Sequence, residues 1–425
     1  MELLKVDTLE EAIQKLVRYA DGNGTEESGI RLRRKSVAFC DAVGCILAED
    51  IVCEENIPPA ARSVMDGYAV RSADTSGASE GVPSFLNIVG EVEMGKAASF
   101  CIKNGECAYI PTGGFLPEGC DAVVMLEDCE LFGSSQAAVY TAVSPGRNIV
   151  QAGDDMKKGE VVIKCGKHLD YADIGVLAAV GKERLEVYRP WRVHVISTGD
   201  EIVPPEQKPS EGQMRDVNSH TIAALAGKYG FETSTELLPD DESLLEMHIR
   251  AAMESCDIVA VSGGSSQGKK DATAKIIDRL ASSGVLTHGI AVKPGKPTII
   301  GFDEPSHCVL LGLPGHPVAA VLLFDLIAGG LWKEMSGECR SDKPSFLYGR
   351  LDANLPASPG RKTFQLVKIF EEDAEKDGTA EIIVRPVYGK SGLIRTLAKA
   401  DGYIVMEVNE EGLCRGTQVK VQLLR

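Results

Sequence analysis

The run Asp257-Ile258-Val259-Ala260-Val261-Ser262-Gly263-Gly264-Ser265-Ser266-Gln267-Gly268 leaves the chain little choice of fold. Four apolar residues without polar alternation suit a strand covered on both faces, as in a parallel sheet. The Gly-Gly turn and the helical pattern from Asp271 put unpaired backbone N–H groups and a positive dipole end at the strand's carboxyl terminus. Such a turn suits an anion, yet taken alone it is more often an ordinary strand-to-helix connection. Two further runs repeat the pattern. Val193–Ser197 ends in Thr198-Gly199-Asp200-Glu201, and Val309–Leu313 ends in Pro314-Gly315-His316-Pro317. Three buried strands ending in small-residue turns should align those turns along one sheet edge, where open α/β sheets bind ligands.

The surroundings of these runs extend the pattern. Between about 190 and 335, helices from Asn218, Asp240 and Asp271 alternate with strands, including strands around Lys293–Phe302 and Val309. This predicts βαβ units and a parallel sheet. Asp216, Asp240 and Asp241 are candidate helix caps. Lys293-Pro294-Gly295-Lys296-Pro297 sets two lysines on a stiff frame, which suits a fixed clamp for a phosphate or another oxyanion.

Upstream, Leu3–Ala20 reads as an amphipathic helix, and a second helical segment runs through Asp41 to Ala48. Pro58 to Gly67 is a loop in which Asp66 reads equally as a turn cap. Val82 to Val143 alternates like a small β domain, and in it Thr112-Gly113-Gly114 either binds an anion or closes a turn. A short helix, Asp170–Gly181, carries Asp173. After Ser341 the strand pattern predicts a β-barrel-like domain with Arg361 and Ser391 in its loops.

At 425 residues the chain suggests three or four domains. A formal charge of −17 argues against nucleic acid or an anionic membrane as partner, so any anion must be held by local donors. Twelve cysteines without a C-x-x-C spacing fit a reducing cytoplasm better than a disulfide scaffold or a zinc site. The acidic N-terminus is not a signal peptide, and the most apolar helix, Val318–Trp332, is too short to span a bilayer. The expected location is the cytoplasm.

Taken together, these motifs resemble the molybdopterin molybdotransferases, or molybdenum insertases, of the bacterial MoeA type and the gephyrin E domain. The match is collinear: Ser63-Val64-Met65-Asp66-Gly67-Tyr68-Ala69-Val70, Pro111-Thr112-Gly113-Gly114, Ser197-Thr198-Gly199-Asp200-Glu201, Asp216-Val217-Asn218, Ser262-Gly263-Gly264-Ser265, Lys293-Pro294-Gly295-Lys296-Pro297 and Leu313-Pro314-Gly315-His316-Pro317. The resemblance implies an α/β multi-domain chain with a Rossmann-like (MogA-like) pterin-binding domain at 189–337. A linker domain would comprise 1–55 with 145–188, a β-rich lid 56–144, and a C-terminal β-barrel 338–425.

The implied reaction joins molybdate, or tungstate, to adenylylated molybdopterin with Mg²⁺, releasing AMP. The alternatives are a non-catalytic pterin-binding scaffold or a related nucleotide pyrophosphatase. By resemblance, Gly263, Gly264 and Ser265, with Pro314, Gly315 and Pro317, would cradle the pterin nucleotide. Asp216 and Asp271 would hold Mg²⁺, and Lys293, Lys296, Arg361 and Ser391 would take molybdate. Asp66, Thr112, Asp173 and Asp240 would line the cleft, the first two acting in trans within a homodimer. Other implied partners are the molybdopterin adenylyltransferase and acceptor molybdoenzymes. The chain departs from the common pattern at His316 (usually Asn), Ala272 (usually aromatic), Val150 (often Arg) and Asp173 (usually Glu).

Overall fold

The buried apolar runs become neighbouring strands. In a computed structural model, which describes residues 6–20, 32–133, 135–263, 270–337, 346–373 and 380–424, a six-stranded sheet carries them. Its order is Glu232–Leu238, Arg192–Thr198, Ile258–Gly263, Cys308–Leu313, Ile299–Asp303, Val285–His288. The first four strands are parallel, and their register pairs Thr198 with both Leu238 and Gly263, and Ser262 with Leu313. The turns after them therefore lie level on one edge. Gly263 holds φ at 147°, and a Cβ there would stand 2.1 Å from Thr198 O, so the strand can leave the sheet this tightly only with glycine.

The parallel pairing expected from the βαβ pattern stops at the sheet's far side. Ile299–Asp303 runs antiparallel to Cys308–Leu313, and Val285–His288 antiparallel to Ile299–Asp303. Only Glu304 to His307 connect the first pair, with His307 N donating to Glu304 O at 3.2 Å in a closed turn. That is hairpin length, whereas a parallel return needs a dozen or more residues. The apolar run Val318–Trp332 is also subdivided. Helix Pro317–Phe324 widens into a π-turn at Asp325–Gly329, where Tyr229 Oη donates to Asp325 Oδ1 at 2.5 Å, and continues as Gly330–Ser336.

The first helix spans Leu9–Ala20 and is closed by a reciprocal pair, Thr8 N to Glu11 Oε2 at 2.8 Å and Glu11 N to Thr8 Oγ1 at 3.1 Å. Its Leu9, Ala12 and Leu16 join the α/β domain's core beside Trp332 and Leu331. The expected second helix at 41–48 does not form. A 3₁₀ turn at Phe39–Asp41 is followed by β-bridges from Ile46 to His168 and Leu47 to Val187, so long-range pairing overrides local helix preference.

Segments on either side of the lid share one core: Ala42, Leu47 and Ile51 from the first, Ile163, Leu169, Leu177, Leu185 and Val187 from the second. Helix Tyr171–Ala179 starts in a capping box of Asp170 and Asp173. The inserted lid is a six-stranded mixed sheet ordered Ala122–Met125, Gly67–Val70, Glu106–Ile110, Ser84–Glu91, Gln136–Val139, Cys129–Phe132. It is tied to the return segment by Ile149–Val150 pairing with Arg62–Ser63. Val150 thus makes its contact through the backbone, without the arginine common there. Burial pushes the lid's Cys107, Cys120 and Cys129 thiols up to about 12, so these are core hydrophobes rather than nucleophiles.

The C-terminal strands Phe346–Leu351, Lys362–Asp373, Ala380–Pro386, Gly402–Met406 and Gln418–Leu423 close into a barrel over Leu351, Val367, Val384, Ile404 and Val421. The Lys-Pro-Gly-Lys-Pro segment is stitched onto it. Val292–Lys293 pairs in parallel with Lys362–Thr363, and Lys362 N donates to Ala291 O at 2.9 Å. This junction builds the site.

Candidate functional site

Where the α/β domain meets the barrel, a cavity of about 690 Å³ opens. One wall is Lys293 to Pro297 with His316; the other is Arg361, Thr363, Gln365 and the turn Tyr388-Gly389-Lys390-Ser391. Four cationic side chains, Lys293, Lys296, Arg361 and Lys390, line it, and among the described residues no Asp or Glu does. Among the described residues none of the four has a carboxylate partner. A chain of charge −17 has here concentrated positive charge in a concave wall, which focuses field on an incoming anion.

A second cavity of about 170 Å³ adjoins it along the sheet edge, lined by Gly263, Thr273, Pro314 and Gly315. Pro297 and His316 belong to both walls. Beneath it, Asn218 Nδ2 donates to Ser262 Oγ at 2.8 Å and to Gly315 O at 2.9 Å. Because Gly315 O only accepts, the amide orientation is fixed. Asn218 Oδ1 is left buried with no donor among the described residues, an acceptor that suits a ligand N–H.

The neighbouring carboxylates are mostly engaged. Asp216 is buried; Ser197 Oγ donates to its Oδ1 at 2.8 Å, Ser219 N donates to the same oxygen at 3.2 Å, and Ser219 Oγ donates to Oδ2. It therefore fastens the start of helix Asn218–Lys228 to the sheet. Asp241, not Asp240, caps helix Glu242–Met253. Asp240 instead accepts from Thr198 Oγ1 at 3.0 Å and donates its own N–H to Asp200 Oδ1 at 3.1 Å, which joins two strand ends.

The profile of the MoeA N-terminal region (domain I and II) matches residues 5–181, that of a probable molybdopterin binding domain 194–332, and that of the MoeA C-terminal region (domain IV) 348–424. The chain is 31% identical to the molybdopterin molybdenumtransferase of Haemophilus influenzae over 90% of its own length and 92% of that protein. The chain belongs to the molybdopterin molybdenumtransferase (MoeA) family.

Another family member, the molybdopterin molybdenumtransferase of Nostoc, is 31% identical over 89% of this chain and 86% of its own. The crystal structure of the molybdopterin biosynthesis MoeA protein from Pyrococcus horikoshii superposes with a TM-score of 0.81 at 33% identity, covering 99% of this chain and 100% of that one.

Among residues expected from the MoeA resemblance, Lys293, Lys296, Arg361 and Ser391 share the larger cavity, and Gly263, Pro314 and Gly315 the smaller. Pro317 opens the following helix. Gly264 and Ser265 lie outside the described residues, as does the side chain of Asp271. Asp66 and Thr112 meet each other, Thr112 N donating to Asp66 Oδ1 at 2.7 Å and its hydroxyl at 3.1 Å, but line neither cavity. Asp173 also lies elsewhere, buried in its capping box and paired with Lys167. Lys390, Asn218 and the His316–Ser391 contact were not anticipated as site features. Lys390 was legible as a charge flanking Ser391; the other two depend on three-dimensional pairing.

Proposed function

We propose that the chain transfers molybdate to adenylylated molybdopterin, with release of AMP, at these adjoining cavities. The observation that carries the reading is the four-cation, carboxylate-free wall shared through Pro297 and His316 with the glycine-lined edge of the sheet. Lys293, Lys296, Arg361 and Ser391 hold the oxyanion, Arg361 supplying a planar fork and the lysines point charges. Gly263, Pro314 and Gly315 leave room for the nucleotide's phosphates, and Asn218 Oδ1 accepts from the pterin portion. The dithiolene sulfurs bond to molybdenum as one oxygen of molybdate leaves as water with the two thiol protons, and a further water cleaves the diphosphate to release AMP, so the chain's residues act by placement and charge neutralisation.

Magnesium is part of the same proposal. Three donors engage Asp216 and leave its carboxylate one acceptor position for the ion, so Asp216 and Asp271 both stay in the assignment. Bound there, the ion would screen charge on the diphosphate. A homodimer is part of the same proposal: on the linker the paired Val52 and Val161 are 46% and 40% exposed, and Tyr171 is 86% exposed. In it Asp66 and Thr112 of one subunit complete the site of the other. The cytoplasm is the proposed location; among the described residues no helix is long and apolar enough to cross a membrane.

The test is AMP release and cofactor formation from adenylylated molybdopterin and molybdate. Lys296→Ala and Arg361→Ala each lower turnover about a hundredfold or more with the fold unchanged. Wild-type rates in both variants would contradict the reading.

A further inference from the structure

His316 is, with Pro297, one of the two residues on which the cavities meet, and its Nδ1 lies 2.8 Å from Ser391 Oγ. The pair is held from several sides. Val318 N donates to Ser391 O at 3.1 Å, Ala320 N to His316 O at 2.9 Å, and Asn218 Nδ2 to Gly315 O at 2.9 Å. Ser391 Oγ has no other protein partner among the described residues. A serine hydroxyl carries a single proton. Donated to Nδ1, that proton leaves only lone pairs facing the cavity, which an oxyanion repels. When Nδ1 carries the hydrogen, the hydroxyl accepts from the imidazole and turns its own proton into the cavity. Only the second arrangement adds a donor to the lysines and arginine already there.

We propose that His316 is a positioning residue for the oxyanion: as an Nδ1–H donor it orients Ser391 so that the hydroxyl donates to the bound anion. This rests on the larger cavity being the molybdate site. It also makes His316 more than a substitute turn residue, because the hydrogen at the δ position, rather than the ring, does the orienting. An asparagine can present an amide N–H at that δ position; a glutamine places its amide one bond further out.

The experiment is calorimetric titration of the full-length protein with sodium molybdate, with thermal unfolding as a check on the fold. The variants are His316→Asn, His316→Gln, Ser391→Ala and the His316→Gln/Ser391→Ala double. His316→Asn keeps the wild-type Kd, whereas His316→Gln and Ser391→Ala each weaken binding about tenfold or more, the loss of one hydrogen bond to a charged group. The double variant is no weaker than Ser391→Ala alone, because His316 acts through Ser391. In turnover, KM for molybdate rises while KM for the pterin substrate holds. Wild-type affinity in His316→Gln, or additive losses in the double variant, overturn the proposal while leaving the cavity assignment standing. No molybdate binding by the wild type overturns the cavity assignment itself.

Discussion

At the scale of single residues, the cation wall depends on one glycine between two lysines. Gly295 holds φ at 113°, and a Cβ on it would lie 2.3 Å from Leu323 Cδ1 in the helix below. Gly295→Ala must therefore push the loop off the helix or distort it, at a cost of about 1–3 kcal/mol. The expected outcome is a lower midpoint of thermal unfolding together with weaker molybdate binding, since Lys293 and Lys296 move with the loop. An unchanged midpoint would show that the loop is not seated as described. The stiffness of this segment was legible from its Pro-Gly-Pro spelling. The capping contact of Asp216 with Ser219, three residues on, was legible as a candidate helix cap; its bond from Ser197 was not, because that strand meets the carboxylate only in the folded sheet.

At the scale of elements, the barrel, the first helix and the loop are joined at Lys362. Its Nζ pairs with Glu10 of the helix and, at 3.2 Å, with Glu407 of the barrel. Burial alone would raise Glu10, but the hydrogen bond and charge of Lys362 outweigh it and hold the carboxyl below its ordinary value. Burial alone would likewise lower Lys362, and its two carboxylate partners raise it instead. A lowered carboxyl contributes stability above the usual carboxylate range and loses it as pH falls through its folded value. A raised ammonium contributes below its unfolded value and loses it as pH rises through the folded one. The tie is thus strongest between those ranges. With both carboxylates exposed, though Lys362 is largely covered, it is worth at most about 1 kcal/mol. Urea unfolding should show Lys362→Met destabilised at pH 7 and the difference gone at acid pH; a difference that persists in acid would deny the ionic tie.

Element types were readable where apolar runs were long, as in Ile258–Gly263 and Cys308–Leu313. Direction and local competition were not. The antiparallel turn of Ile299–Asp303 follows from a short connection, and the 41–48 segment gives up helix for bridges to His168 and Val187.

At the scale of the whole molecule, function sits at a seam. The sheet edge alone offers a small cavity and the barrel alone a cationic turn; their junction sets a larger cavity beside the small one, and in the proposed reaction the two take two anions side by side. The order of β-rich, α/β and barrel-forming segments was legible from shifts in pattern. The seam itself was not, because it depends on Val292–Lys293 adding to the barrel's Lys362–Thr363. Tungstate, a tetrahedral dianion of near-equal size to molybdate and a strong anomalous scatterer, locates the oxyanion directly in soaked crystals. The account predicts an anomalous peak in the larger cavity, within reach of Lys293, Lys296, Arg361 and Ser391. A well-ordered peak elsewhere, with that cavity empty, would contradict it.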